Sequence, residues 1–268
     1  MNIQVFLPGP CVPVVLALVV AGCAVSSPSG ADPAERSSSH RDPVPIVPDP
    51  GVSVRVGGLQ EAVVSGSDGN YRAGACSIDT PLPVGYPLPT PPEAIDLKTY
   101  PQVRLAEVSG SGDPDAGMNG TFWPLFNHIK GHDIAMTSPV EMNYRGMRAP
   151  DQPSPESWSM AFLYRRPDLN QTGVEGRVVV RDSAPVTVVA VGLKGSYSMS
   201  LVQRGMRQIE EWLANHPEWE CAGEWRALYY NGPTLFWWNK WAEVQLPLRP
   251  SQTRQAAGDT PSSTVTER

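Results

Sequence analysis

Two of the four histidines in this chain, His128 and His132, stand at positions i and i+4. On a continuous helix that spacing stacks two imidazoles on one face, a common way to hold a divalent metal. Gly131 lies between them and reads as a helix stop, so the pair also reads as two hydrogen-bonded or surface histidines. Either one alone offers a ring nitrogen to a metal ion. His216, next to Pro217, reads as a partner of helix C-terminal carbonyls, and His40 falls in a polar stretch. Three glutamates, Glu107, Glu141 and Glu243, sit in segments whose neighbours alternate between apolar and polar. Facing outward they are solvated, whereas one facing inward is a candidate acid or base. No Ser-His-Asp or Cys-His arrangement is readable from the spacing, and no Walker loop, GxGxxG turn, CxxC pair or HExxH helix occurs. The expectation is a protein that is not an enzyme.

The formal net charge of −6, without a cluster of Lys and Arg, argues against a nucleic-acid partner. Four cysteines bear on the compartment. The apolar run Val12 to Val20 is too short to span a membrane, and it leads into Val20-Ala21-Gly22-Cys23, a small-residue site before a lipidatable cysteine. Residues 1–23 therefore read as a lipoprotein signal peptide with Cys23 as the lipidation site, although Met1 to Cys11 lacks the usual Lys or Arg. This predicts an exported, membrane-anchored protein of the cell envelope, facing the periplasm; the alternative is a secreted one. Residues 24–50 and 249–268 are poor in large apolar groups and read as a disordered tether and tail. Export favours a disulfide between Cys76 and Cys221, although two thiols can equally stay unpaired.

The segments that position these groups follow from periodicity. Pro101 to Val108 and Pro185 to Val191 alternate as half-buried strands, and each passes through a Gly/Ser-rich turn into a helix. Proline and alanine recur at one separation in the two segments, which suggests two copies of one unit. The first helix is expected after Thr121 as N-cap, with Pro124 in its first turn and Gly131 at its end; Phe122, Leu125, Phe126 and Ile129 form its apolar stripe. The second runs from Met199 to about Asn215, buries Met199, Val202, Met206, Ile209 and Leu213, and closes at Pro217. Gly205 in mid-helix implies a close neighbour. Further strands are expected at Met136 to Tyr144, Ser157 to Tyr164, Gly176 to Val180, Arg226 to Tyr230 and Lys240 to Leu246. Pro139 inside the first of these fits an edge or bulge. Residues 51–92 form an N-terminal extension with a hairpin of Val52 to Val56 and Ala62 to Val64.

Two blocks carry a family resemblance. Ile134-Ala135-Met136-Thr137-Ser138-Pro139-Val140 resembles the signature strand of the SOUL haem-binding family. Pro233 to Val244, an aromatic run ending in Glu243-Val244, resembles its closing strands. The resemblance covers residues 93–248. It implies an α+β fold, a distorted antiparallel β-barrel or sheet of about eight strands with two helices built as two pseudo-repeats. It also implies haem, or another flat tetrapyrrole, as a ligand held in an apolar cleft, the protein acting as an envelope carrier, scavenger or sensor. The residues implicated are Phe122, Phe126 and Met136, the aromatic Trp237 and Trp238, and Arg145 or Lys240 for the propionates. Other readings are an envelope interaction module without a ligand and a hydrolase or tetrapyrrole-modifying enzyme using a buried Glu. Glu243 is the candidate for that last role, although Ala242 stands where the family usually has Asn.

Overall fold

The computed structural model describes residues 45–251, apart from 67–68 and 233–234. Cys23, the signal segment and most of the tether and tail lie outside the described residues. In chain order the extension contributes β1 (Ser53–Gly58), β2 (Val64–Ser65), β3 (Tyr71–Ala73) and β4 (Cys76–Ile78). Then follow β5 (Ala94–Tyr100), β6 (Arg104–Gly110), α1 (Pro114–Gly131), β7 (Val140–Arg145), β8 (Ser157–Leu163), β9 (Gly173–Glu175) and β10 (Val178–Asp182). The chain continues through β11 (Val186–Lys194), α2 (Met199–Ala214), β12 (Trp219–Cys221), β13 (Trp225–Tyr229), a 3-10 turn (Trp237–Asn239) and β14 (Trp241–Pro250).

The large strands form one antiparallel sheet in the order β1-β5-β11-β14-β13-β7-β8-β6-β10-β9, with β12 paired to β14. The order is an open path and does not close into a barrel. Its centre reads as two interlocked copies of one unit: β5, β6, α1, β7, β8 and then β10, β11, α2, β13, β14. The two halves meet at the antiparallel β13–β7 pair, and each half places its first strand on the far edge of the other. This is an α+β fold with two helices, as the family resemblance implies.

Alternation along the strands separates two faces. Side chains such as Val108, Met142, Met160, Val191, Ala227 and Val244 share one cluster with the buried stripes of both helices. In α2 the stripe contains Met199, Val202, Met206 and Ile209, as expected, with Trp212 buried and Leu213 half-buried beside them. A Cβ on Gly205 would come 2.5 Å from Val244, which explains the glycine in mid-helix. Ser198 caps this helix from its side chain, and His216 binds the Trp212 carbonyl oxygen through Nδ1 at 2.6 Å, meeting the helix end as expected.

Helix α1 begins about two turns before Thr121. Asp113 is the N-cap and Pro114 takes the first position, where its missing N–H costs nothing. Gly117 and Gly120 imitate a turn in the sequence, but a Cβ at Gly117 would lie 2.6 Å from the Trp158 ring, so the glycine admits that indole. Pro124 lies inside the helix and Gly131 ends it, with His132 as C-cap.

Three strand expectations are corrected. Residues 136–139 belong to no strand and bend at Ser138, so Pro139 stands ahead of β7, not within it. The segment expected at Gly176 to Val180 is a hairpin, with Gly176 at φ +58° between β9 and β10. The expected hairpin of Val52 to Val56 with Ala62 to Val64 does not form. β1 pairs instead with β5, a strand that periodicity missed, while β2 joins β3 and β4 in a separate small sheet. Cys76 in β4 is a buried free thiol and Cys221 in β12 an exposed one, so the expected disulfide is not formed. Among the described residues no helix is long and apolar enough to cross a membrane.

Candidate functional site

The sheet face turned away from the helices is lined with charge. Glu243 on β14 is completely buried, and so is Lys98 on β5. Glu243 Oε1 accepts from Lys98 Nζ at 2.8 Å, the Thr90 backbone N–H at 2.7 Å and the Tyr230 hydroxyl at 2.7 Å. Its Oε2 accepts from Gln245 Nε2 at 2.5 Å and the Tyr100 hydroxyl at 3.5 Å. Burial first, then the Glu243 charge, pushes the phenols of Tyr100 and Tyr230 well above the usual tyrosine range, so both stay protonated as donors.

The polar row continues across the sheet. Arg226 on β13 donates to Gln245 at 2.8 Å and to Glu141 on β7 at 3.4 Å, with its guanidinium 4.8 Å over the Tyr100 ring. On β6, Glu107 accepts from Ser159 at 2.5 Å and from Arg181 at 2.7 Å. Burial alone would raise the Glu107 carboxyl, but these hydrogen bonds outweigh it and hold the group below the usual carboxylate range. All three glutamates are therefore inward and paired, not outward and solvated.

The extension seals this face over Glu243. The Pro81 oxygen accepts from the Ser138 N–H, Val84 N–H donates to the Arg165 carbonyl, and Tyr86 packs edge-on against Tyr100 at 4.7 Å. Lys98 donates to the Leu88 carbonyl at 2.7 Å, and the Trp241 indole donates to the Thr90 carbonyl at 2.7 Å. Gly192 permits the closest approach: a Cβ there would meet the Pro91 oxygen at 1.9 Å. A general base must reach a substrate proton through space or one water. Glu243 accepts five hydrogen bonds, lines neither the cavity beside His128 nor the one beside Asn231, and forms a buried ion pair with Lys98.

The other expected site residues separate into distinct regions. Phe122 and Phe126 lie half-buried on one flank of α1, their rings stacked at 5.9 Å, with Phe162 beneath Phe122. Trp123 sets its ring edge-on to both and is 59% exposed. Met136 is half-buried against the same core cluster. These residues form a ridge, and none of them lines the cavity of about 310 Å³ beside His128 or the one of about 160 Å³ beside Asn231. Trp237 and Trp238 are exposed on the 3-10 turn, where Trp238 stacks with Phe236 at 4.8 Å. Lys240 holds its ammonium over the Tyr197 ring, and Arg145 is exposed at the end of β7.

His128 and His132 are brought together after all. Because α1 runs through Gly131, their ring centroids lie 4.6 Å apart. A third group missed in the sequence, Glu175 of β9, places Oε2 2.9 Å from His128 Nδ1 and 2.7 Å from His132 Nε2. The hydrogen bond from His132 is the main reason its carboxyl lies below the usual range. Tyr164 OH meets His128 Nε2 at 2.9 Å. A cavity of about 310 Å³ adjoins this group, lined by Pro124, Asn127, His128, Glu175, Arg177 and Val178.

No curated protein matches the sequence. Among solved structures the chain is similar to the EcmrR C-terminal domain, at 15% identity and a TM-score of 0.49 over 59% of this chain and 98% of that one. It is also similar to a hydrolase from Listeria innocua, at 15% identity and a TM-score of 0.43 over 60% of this chain and 94% of that one. The model of the SOUL heme-binding protein family matches residues 85–247, more than half of the chain and both interlocked units, and the protein belongs to that family.

Proposed function

We propose that this protein binds haem, or a tetrapyrrole of similar flatness, on the outward flank of α1. It would act without catalysis, as a carrier, scavenger or sensor anchored at the cell envelope through Cys23. The observation that carries this reading is Trp123, 59% exposed with its ring edge-on to the stacked Phe122–Phe126 pair, which makes an aromatic ridge on the outer flank of α1. Family membership supports the ligand class. The residues present fit such a ligand: aromatic faces for the macrocycle, and Lys130, exposed one turn beyond Phe126, for a propionate.

Magnitude limits the expectation. Micromolar binding corresponds to about 8 kcal/mol, which at about 25 cal/mol per Å² requires about 320 Å² of apolar surface removed from water before association costs. A ridge without an enclosing cleft supports micromolar affinity, not nanomolar. Hemin titration of the purified protein, followed at the Soret band, tests this. A saturable one-to-one shift in the micromolar range, weakened about tenfold by Trp123→Ala, is the expected result. No saturable shift in a protein folded by circular dichroism would sink haem as the ligand. A shift indifferent to Trp123→Ala would overturn the α1 assignment and turn attention to Trp237 and Trp238.

A further inference from the structure

We propose that His128 Nδ1, His132 Nε2 and the Glu175 carboxylate form a three-ligand site for a divalent transition metal, zinc by its donor set, with a fourth coordination position open to the adjoining cavity. The ligand atoms of all three residues lie within 4.8 Å of one another. Tetrahedral zinc with bonds of about 2.0 to 2.1 Å separates its ligands by about 3.3 to 3.4 Å. The two contacts at 2.7 and 2.9 Å thus need to open by only about half an ångström. Glu175 is free to make that movement, being on a three-residue strand with its side chain 63% exposed.

Three further observations favour a cation here. Both imidazoles converge on the same carboxylate oxygen, Oε2, and a metal between the three groups would engage all of them. His128 is buried and its remote nitrogen meets the Tyr164 hydroxyl, the kind of outer partner that fixes the tautomer and orientation of a metal-bound imidazole. His132 is the C-cap of α1, where the partial negative charge of the last carbonyls favours a positive ion. Two nitrogens and one carboxylate oxygen match borderline metals better than calcium or magnesium. The cavity leaves room for a water or a small anion as fourth ligand, and Arg177 on its wall favours the anion.

This site contacts β9 and Tyr164, whereas the aromatic ridge contacts Phe162, so it stands independently of the tetrapyrrole reading. Zinc alone, titrated calorimetrically into the purified full-length chain carrying Cys221→Ser, is the test. The serine removes the exposed thiol among the described residues as a competing ligand. One equivalent bound at micromolar affinity or tighter is expected. Glu175→Gln and His132→Ala, both at exposed positions, should each weaken binding at least about tenfold. Cobalt in place of zinc should give a visible ligand-field spectrum that Glu175→Gln changes. Absence of saturable uptake, or uptake unaffected by both substitutions, would overturn the proposal.

Discussion

Glu243 and Glu175 are two carboxylates of one sheet system with opposite fates. Glu243 is completely buried and takes hydrogen bonds from a lysine, a backbone N–H, two tyrosines and a glutamine. Glu175 is mostly exposed and meets two imidazoles beside a cavity. Burying a charge demands that its lone pairs be filled, and a filled carboxylate has nothing left for a ligand. An exposed carboxylate keeps its ligand capacity because water can leave it at little cost. The proposed ligand sites accordingly lie on the open rim of α1 and not around Glu243.

That contrast is testable, most severely at Lys98. Lys98→Met leaves Glu243 buried without its counter-charge, and should lower unfolding free energy by about 3 to 5 kcal/mol in urea titrations. The double variant Lys98→Met with Glu243→Gln should recover most of that loss. A double variant no better than the single one would mean that the ammonium acts through its bond to Leu88, not through the pair. Gly205→Ala should cost about 1 to 3 kcal/mol by overpacking against Val244, read from the same titrations.

A pH series sharpens the comparison at Glu107, whose carboxyl lies below its ordinary value in the folded protein. A lowered folded pKa means that the pairing contributes stability above the unfolded value of about 4.3, and that this contribution fades as pH falls through that value toward the folded one. The stability gap between the wild type and Glu107→Gln should therefore be flat above about pH 5 and shrink below it. At the exposed end of the scale, Trp123→Ala and Glu175→Gln should each change stability by less than about 0.5 kcal/mol, while altering hemin and zinc binding respectively. A large stability loss in either would show that the rim is structural too.

Helix α2 was readable because its apolar residues recur at helical spacing between a serine cap and a proline. The start of α1 was not, because Gly117 and Gly120 look like a turn unless one knows that Trp158 packs over Gly117. Nor did the sequence show that Asp96, Lys98 and Tyr100 of β5 are buried, because the surface they face is covered by the distant extension. The same blindness made the glutamates read as solvated by default. Glu175, in a glycine-flanked hairpin, carries no local signal of its two histidine partners.

Sequence alone determined the family, the two repeated units, the C-terminal end of α1 and the amphipathic second helix, because these rest on motifs and on periodicities spanning a few residues. Tertiary structure decided which faces are covered and which charges meet. Lys98 and Thr90 reach Glu243 from 145 and 153 residues away, and Glu175 reaches His128 across 47. Such encounters depend on strand order and on the path of the extension, and no local spacing of residues encodes them.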